Sequence, residues 1–141
     1  MDIIELKMPS DPKLLKIIRC VIKHLCEVCG YSREDRNAIT LAVDEAVANI
    51  IKHAYRGQED QPIILSFQRL QDRLEVKLRD YGKKVDPKSI KSRDLEDIKP
   101  GGLGVHFIRS TMDVVIYDHS VERGNQLTLA KYLPGKRRAN G

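Results

Sequence analysis

The stretch DEAVANIIKHAYRG, Asp44 to Gly57, decides how the chain is read. Its Ala, Val and Ile content is that of a buried helix. Yet Glu45, Asn49, Lys52 and His53 sit inside the apolar pattern. Glu45 and Asn49 are four apart, and Lys52 and His53 lie one more turn along, so all four are expected on one helical face. Val43, Ala46, Val47 and Ile50 supply apolar contact on the neighbouring faces. Two readings follow: a solvated face carrying a Glu–Lys pair, or a helix that buries one side and presents polar groups to a cleft.

The chain around this helix has 141 residues, 41% of them apolar, which suits one domain with a real core. No apolar run is long enough to span a bilayer. The N-terminal MDIIELKMPS lacks a basic segment followed by a long apolar one, so no secretion signal is read there and a cytoplasmic location is expected. The net charge of +5 is spread among intermixed acids and bases, and GKRR near the C-terminus is the one dense basic cluster. Two Phe, five Tyr and no Trp leave few rings for base stacking. Nucleic acid and membrane are therefore not expected partners. Cys20, Cys26 and Cys29 lie within a helical pattern with no second pair elsewhere, so they read as apolar filler and not as a metal or redox centre.

Periodicity places the remaining elements. Residues 2–8 alternate as a strand, with Ile4, Leu6 and Met8 on one side. Ser10 is expected to cap a helix that runs to Gly30 and buries Leu14, Ile17, Ile18, Val21, Ile22 and Leu25. Ser32 with Asp35 marks the start of a second helix, reaching about Tyr55. Ile63, Leu65 and Phe67, then Leu74, Val76 and Leu78, alternate in two strands joined by QDR. A polar segment, 87–102, precedes a short helix near Leu103 to Met112, and DVVIYDH and NQLTLAKYL form two final strands. Strands paired as hairpins, with helices between them, predict an α+β two-layer sandwich: a mainly antiparallel mixed sheet covered on one face by helices.

Two further motifs bear on the polar helix. Asp80-Tyr81-Gly82 closes a strand; it is a common turn, or else a carboxylate placed to accept a hydrogen bond from an exocyclic amine. PGGLGVHFIRSTMD, Pro100 to Asp113, runs glycines into a helix start, which is either a hinge or a set of backbone N–H groups suited to phosphate.

Taken in order, a helix with Glu-x-x-x-Asn, a strand ending Asp-x-Gly and a Gly-x-Gly at a helix resemble the Bergerat ATP-binding fold of histidine-kinase-like ATPases. Within that group DEAVANIIKHAY and GGLGVHFIRSTMDVVIYD look most like the small anti-sigma-factor serine kinases, over nearly the whole chain. The resemblance implies one ATP-binding domain over 1–134, with 135–141 as a basic, frayed tail. It implies ATP and Mg²⁺ as cofactors, Asn49 as the magnesium ligand and Glu45 as the catalytic general base. Asp80 would read the adenine amino group, with Gly82 beside the base. Lys52 and His53 would lie near the phosphates, and Gly102, Leu103, Gly104 and Val105 in the glycine box. A lid would run from about Lys88 to Gly101. Lys84 departs from the family, standing where many relatives carry Gly or Pro, and is expected either to narrow the pocket or to reach toward phosphate.

The function so implied is that of a protein serine/threonine kinase acting as a partner switch, with a sigma factor and a small antagonist protein as partners. The alternative is an ATP-binding module that binds partners without phosphoryl transfer. A third reading is a nucleotide-free domain with accidental motifs. The resemblance also implies a homodimer built through the first strand and helix.

Overall fold

Among the described residues, five antiparallel strands in the order β1-β2-β3-β5-β4 carry the helices on one face. A computed structural model describes residues 2–86 and 104–136. The strands are β1 (Ile4–Pro9), β2 (Pro62–Arg69), β3 (Arg73–Asp80), β4 (Val114–Asp118) and β5 (Asn125–Tyr132). The helices are α1 (Leu15–Val28), preceded by a 3-10 turn at Pro12–Leu14, then α2 (Arg33–Asn49) and α3 (Gly104–Thr111). This is the expected α+β sandwich, and all four strand pairings are antiparallel.

The period-two pattern explains the sheet's two faces. Ile63, Leu65 and Phe67 on β2 and Leu74, Val76 and Leu78 on β3 are each at most 1% exposed, and the residues between them are not buried. The ladder sets Leu65 opposite Leu78 and Phe67 opposite Val76, with Leu127 and Leu129 of β5 across from Leu78 and Val76. Against this surface α1 and α2 bring Ile18, Ile22, Ile39, Val43 and Val47, and α3 brings Ile108 and Met112. Burial of this kind contributes about 1.5–3 kcal/mol per large side chain, and it fixes α2 rigidly over the sheet.

Several local expectations are corrected. Ser10 is not a helix cap: it is buried, its hydroxyl donates to the Gln58 carbonyl, and it accepts from the Gln61 N–H at 3.1 Å. Asp11 caps instead, accepting from the Lys13 N–H at 2.9 Å. Pro12 fixes the next φ, which makes the preceding aspartate a good cap. Ile17 is 50% exposed, and α1 buries Ile18, Ile22, Leu25 and Cys26. Ile4 is exposed because β1 is an edge strand, and only Met8 of its three expected inward residues is buried. Ser32 caps α2 as expected, accepting from the Asp35 N–H at 3.1 Å.

The end of the second helix also differs. Beyond Asn49 the coil widens into a π turn, Ile50–Ala54, in which the Tyr55 N–H reaches the Ile50 carbonyl at 3.0 Å. The Ala54 carbonyl, freed from the α-helical ladder, accepts from the Lys83 N–H at 2.8 Å. The widened turn therefore stitches α2 to the chain that leaves β3.

Candidate nucleotide-binding site

The alternation that buries Leu74, Val76 and Leu78 also turns Asp80 toward the helices. Asp80 is the next residue on that face and is 1% exposed. One oxygen, Oδ1, accepts from the Gly82 N–H at 2.9 Å and from the Asn125 amide at 3.0 Å. The other, Oδ2, is buried without a hydrogen-bond partner among the described residues. Burial raises the carboxyl's pKa, opposed by the hydrogen bonds from Asn125 and Gly82 and by the charge of Arg79. A buried acceptor left open costs stability, about 1–3 kcal/mol or more for a charged group, unless a ligand completes it.

Asp80 and Asn49 line the same cleft. Its walls are Ala46, Asn49, Ile50 and Ala54 from the α2 side and Leu78, Asp80, Leu127 and Asn125 from the sheet, closed by Val85 and Tyr117. Apolar walls with a few polar points suit a flat heterocycle that offers an N–H donor to Oδ2.

Glu45 stands one turn before Asn49 on α2 and is half-buried, with Oε2 unpartnered among the described residues. Burial raises its pKa, Asp44 adds to the rise, and Lys52 opposes it. Asp44 itself faces Arg19 of α1, with Nε and Oδ1 3.7 Å apart. Lys52 is exposed and His53 half-buried, and, like Glu45, neither is among the cleft's lining residues, whereas Ile50 and Ala54 of the π turn are. Gly104 and Val105 form the first turn of α3, which packs against α2. Gly102, Leu103 and the expected lid, 88–101, lie outside the described residues.

Gly82 has a structural reason of its own. A Cβ there would lie 2.5 Å from the Ala54 carbonyl oxygen and 2.9 Å from Tyr55 Cδ1. The missing side chain thus lets the post-β3 chain close on the π turn. Lys84 points elsewhere: its ammonium donates to the Val121 carbonyl in the β4–β5 connection. All three cysteines are free; Cys26 and Cys29 are buried as filler would be, whereas Cys20 is exposed, and burial pushes the Cys26 thiol up to about 12. No group of three or more His, Cys, Asp or Glu side chains suited to a metal occurs among the described residues.

Sequence reading passed over Asn125, Tyr117 and Gly124. Asn125 is the direct cross-strand partner of Asp80, and Gly124 holds φ +74 where an added Cβ would lie 2.1 Å from the Asp80 carbonyl oxygen. The only available signal was the Gly-Asn pair that opens the last strand.

Comparison with known proteins agrees with this geometry. A family model for the histidine kinase-like ATPase domain matches residues 8–131. The serine-protein kinase RsbW of Bacillus subtilis (strain 168) is 32% identical over 146 residues, covering 96% of this chain and 89% of the relative. The serine-protein kinase RsbW of Listeria innocua is 31% identical, covering 96% and 90%. That of Bacillus velezensis is 31% identical, covering 99% and 91%. With a domain match over most of its length and full-length relatives of this kind, the chain belongs to the histidine kinase-like ATPase family and, within it, to the anti-sigma-factor serine kinases.

Proposed function

We propose that the protein is an ATP-dependent protein serine kinase that acts as a partner switch. It would bind a sigma factor, and it would phosphorylate a serine of a small antagonist protein. The observation that carries this reading is the shared cleft: Asn49 and Asp80 come from distant segments, yet both line it.

The residues present fit ATP. The open Oδ2 of Asp80 suits the donor of an adenine amino group, and the apolar walls suit the ring. Asn49 offers a neutral amide oxygen, a reasonable hard ligand for Mg²⁺. When bound, Mg²⁺ supplies charge neutralisation on the phosphates. Glu45 is the base: its carboxylate takes the proton of the incoming serine hydroxyl. As it does so, the serine oxygen forms its bond to the γ-phosphorus and the bond from that phosphorus to the ADP oxygen breaks. The raised pKa of Glu45 brings it closer to the working pH, which makes it a stronger base than an exposed glutamate. Lys52 and His53 follow Asn49 on the same segment and are assigned to the phosphates, as is the glycine box of Gly102, Leu103, Gly104 and Val105.

A kinase and a nucleotide-sensing module differ in one result. Purified protein is incubated with γ-labelled ATP, Mg²⁺ and a candidate small antagonist protein. Label on an antagonist serine, reduced at least about 100-fold in Glu45→Ala with ATP affinity kept, supports the kinase. Tight ATP binding with no transfer overturns it in favour of the module.

A further inference from the structure

Asp80 does not set its own orientation. Directly across the β3–β5 ladder, Asn125 uses every hydrogen-bonding group of its carboxamide. Its Nδ2 donates to Asp80 Oδ1 at 3.0 Å and to the Lys83 carbonyl at 2.8 Å. Its Oδ1 accepts from the Val85 N–H at 2.9 Å. The partners dictate which end is nitrogen, since a carboxylate and a carbonyl need donors and an N–H needs an acceptor. The backbone around it is fastened too: the Asn125 carbonyl accepts from Arg79 Nη1 at 3.0 Å, and the same nitrogen donates to the Asp80 carbonyl.

We propose that Asn125 is a positioning residue for base recognition, its amide anchoring one oxygen of Asp80 so that the other stays open to the base, while holding Val85 as a wall of the same cleft. This rests on the reading of the cleft as an adenine site. The chemistry needs an amide at this position. Two donors and one acceptor must act at once on three groups of the single segment Asp80 to Val85, and no other side chain of that length supplies them. Gly82 and Asn125 both donate to Oδ1, which fixes the carboxylate plane and leaves Oδ2 as the open acceptor. Ser at position 125 is too short to reach three partners. Asp would set a second carboxylate against Asp80 and against the Lys83 carbonyl.

The test compares Mg-ATP with the Mg complex of purine riboside triphosphate, which lacks the 6-amino group. Affinities are measured by calorimetry on wild type, Asn125→Ser and the isosteric Asn125→Asp, and each variant's cooperative melting is checked first. Wild type should prefer ATP by about tenfold or more, the effect of one hydrogen bond to a charged group. In both variants ATP affinity should fall about tenfold, affinity for the deamino analogue should hold within about threefold, and the preference should approach unity. A variant that keeps the wild-type preference overturns the positioning role while leaving the adenine reading intact. Equal loss of both nucleotides, or a variant that no longer melts cooperatively, also overturns it, since the amide would then serve the fold alone. A wild type that does not distinguish the two nucleotides overturns the adenine reading itself and the inference with it.

Discussion

Replacing Gly124 with alanine should displace Asp80. The added Cβ would sit 2.1 Å from the Asp80 carbonyl oxygen, 2.6 Å from Tyr81 Cα and 2.7 Å from the Asp80 carbonyl carbon. Real Cβ atoms essentially never come within 3.0 Å of another heavy atom, so the backbone must open by at least 3.0 − 2.1 = 0.9 Å. All three neighbours are backbone, so no flexible side chain can give way. The left-handed φ of +74 adds about 1–2 kcal/mol for any L-residue. Overpacking adds about 1–3 kcal/mol, for a total of about 2–5 kcal/mol. For 141 residues each kcal/mol lowers the melting temperature by about 3–4 °C, so a fall of about 6–20 °C is expected. Mg-ATP affinity should fall at least about tenfold, because a shift of this size breaks the contacts that set the carboxylate. Gly30→Ala is the control: it has φ +82 and open space where the Cβ would go. It should lose only the conformational part, about 1–2 kcal/mol, and bind nucleotide normally. The assays are thermal melting and calorimetric titration. If Gly124→Ala melts with Gly30→Ala and binds ATP as wild type does, the close-approach reasoning is refuted.

Three other outcomes follow from the site. Burial and Asp44 raise the pKa of Glu45, so phosphoryl transfer should fall on the acid side at a higher pH than an ordinary glutamate would give; a transfer-rate profile between about pH 4 and 8 reads this, and a limb at or below the ordinary glutamate value contradicts it. Asn49→Ala should weaken Mg-ATP binding about tenfold or more yet change metal-free ATP binding little, and equal losses with and without Mg²⁺ would refute the magnesium role. Lys84→Ala should leave nucleotide affinity within about threefold of wild type, because its ammonium is held by the Val121 carbonyl; a larger loss in calorimetry would place the lysine at the nucleotide after all.

Much of this architecture was legible in the sequence because it repeats a local period. The alternation of Leu74, Val76 and Leu78 marked the strand that ends at Asp80, and the Ser32 cap and the apolar side of α2 followed from spacing. What sequence hid were contacts between segments far apart in the chain. Asn125 reaches Asp80 across 45 positions, and no local pattern gives the β3–β5 register that makes them opposite. Ser10 looked like a cap because it precedes Pro12, but the Gln58–Gln61 loop claims its hydroxyl. Gly82 was legible as a glycine beside the base, but not as one where a Cβ would also meet the Ala54 carbonyl oxygen at 2.5 Å. The π turn likewise has no sequence signature, because it forms where Lys83 draws on that same carbonyl.

Asp80→Asn in a calorimetric titration with Mg-ATP tests the account most directly. Gly82 and Asn125 both donate to Oδ1, so the new amide's oxygen is held there and its NH₂ replaces Oδ2. A donor then faces the donor of adenine. Burial raises the folded pKa of Asp80, so its favourable contribution exists only below the unfolded value and is lost as pH rises through the folded one. Above the unfolded value the raised folded pKa therefore costs stability, and at neutral pH Asp80→Asn should melt no lower than wild type. The account predicts an intact, equally or more stable protein whose Mg-ATP affinity is about 10–100-fold weaker. Undiminished affinity in that stable variant would contradict it.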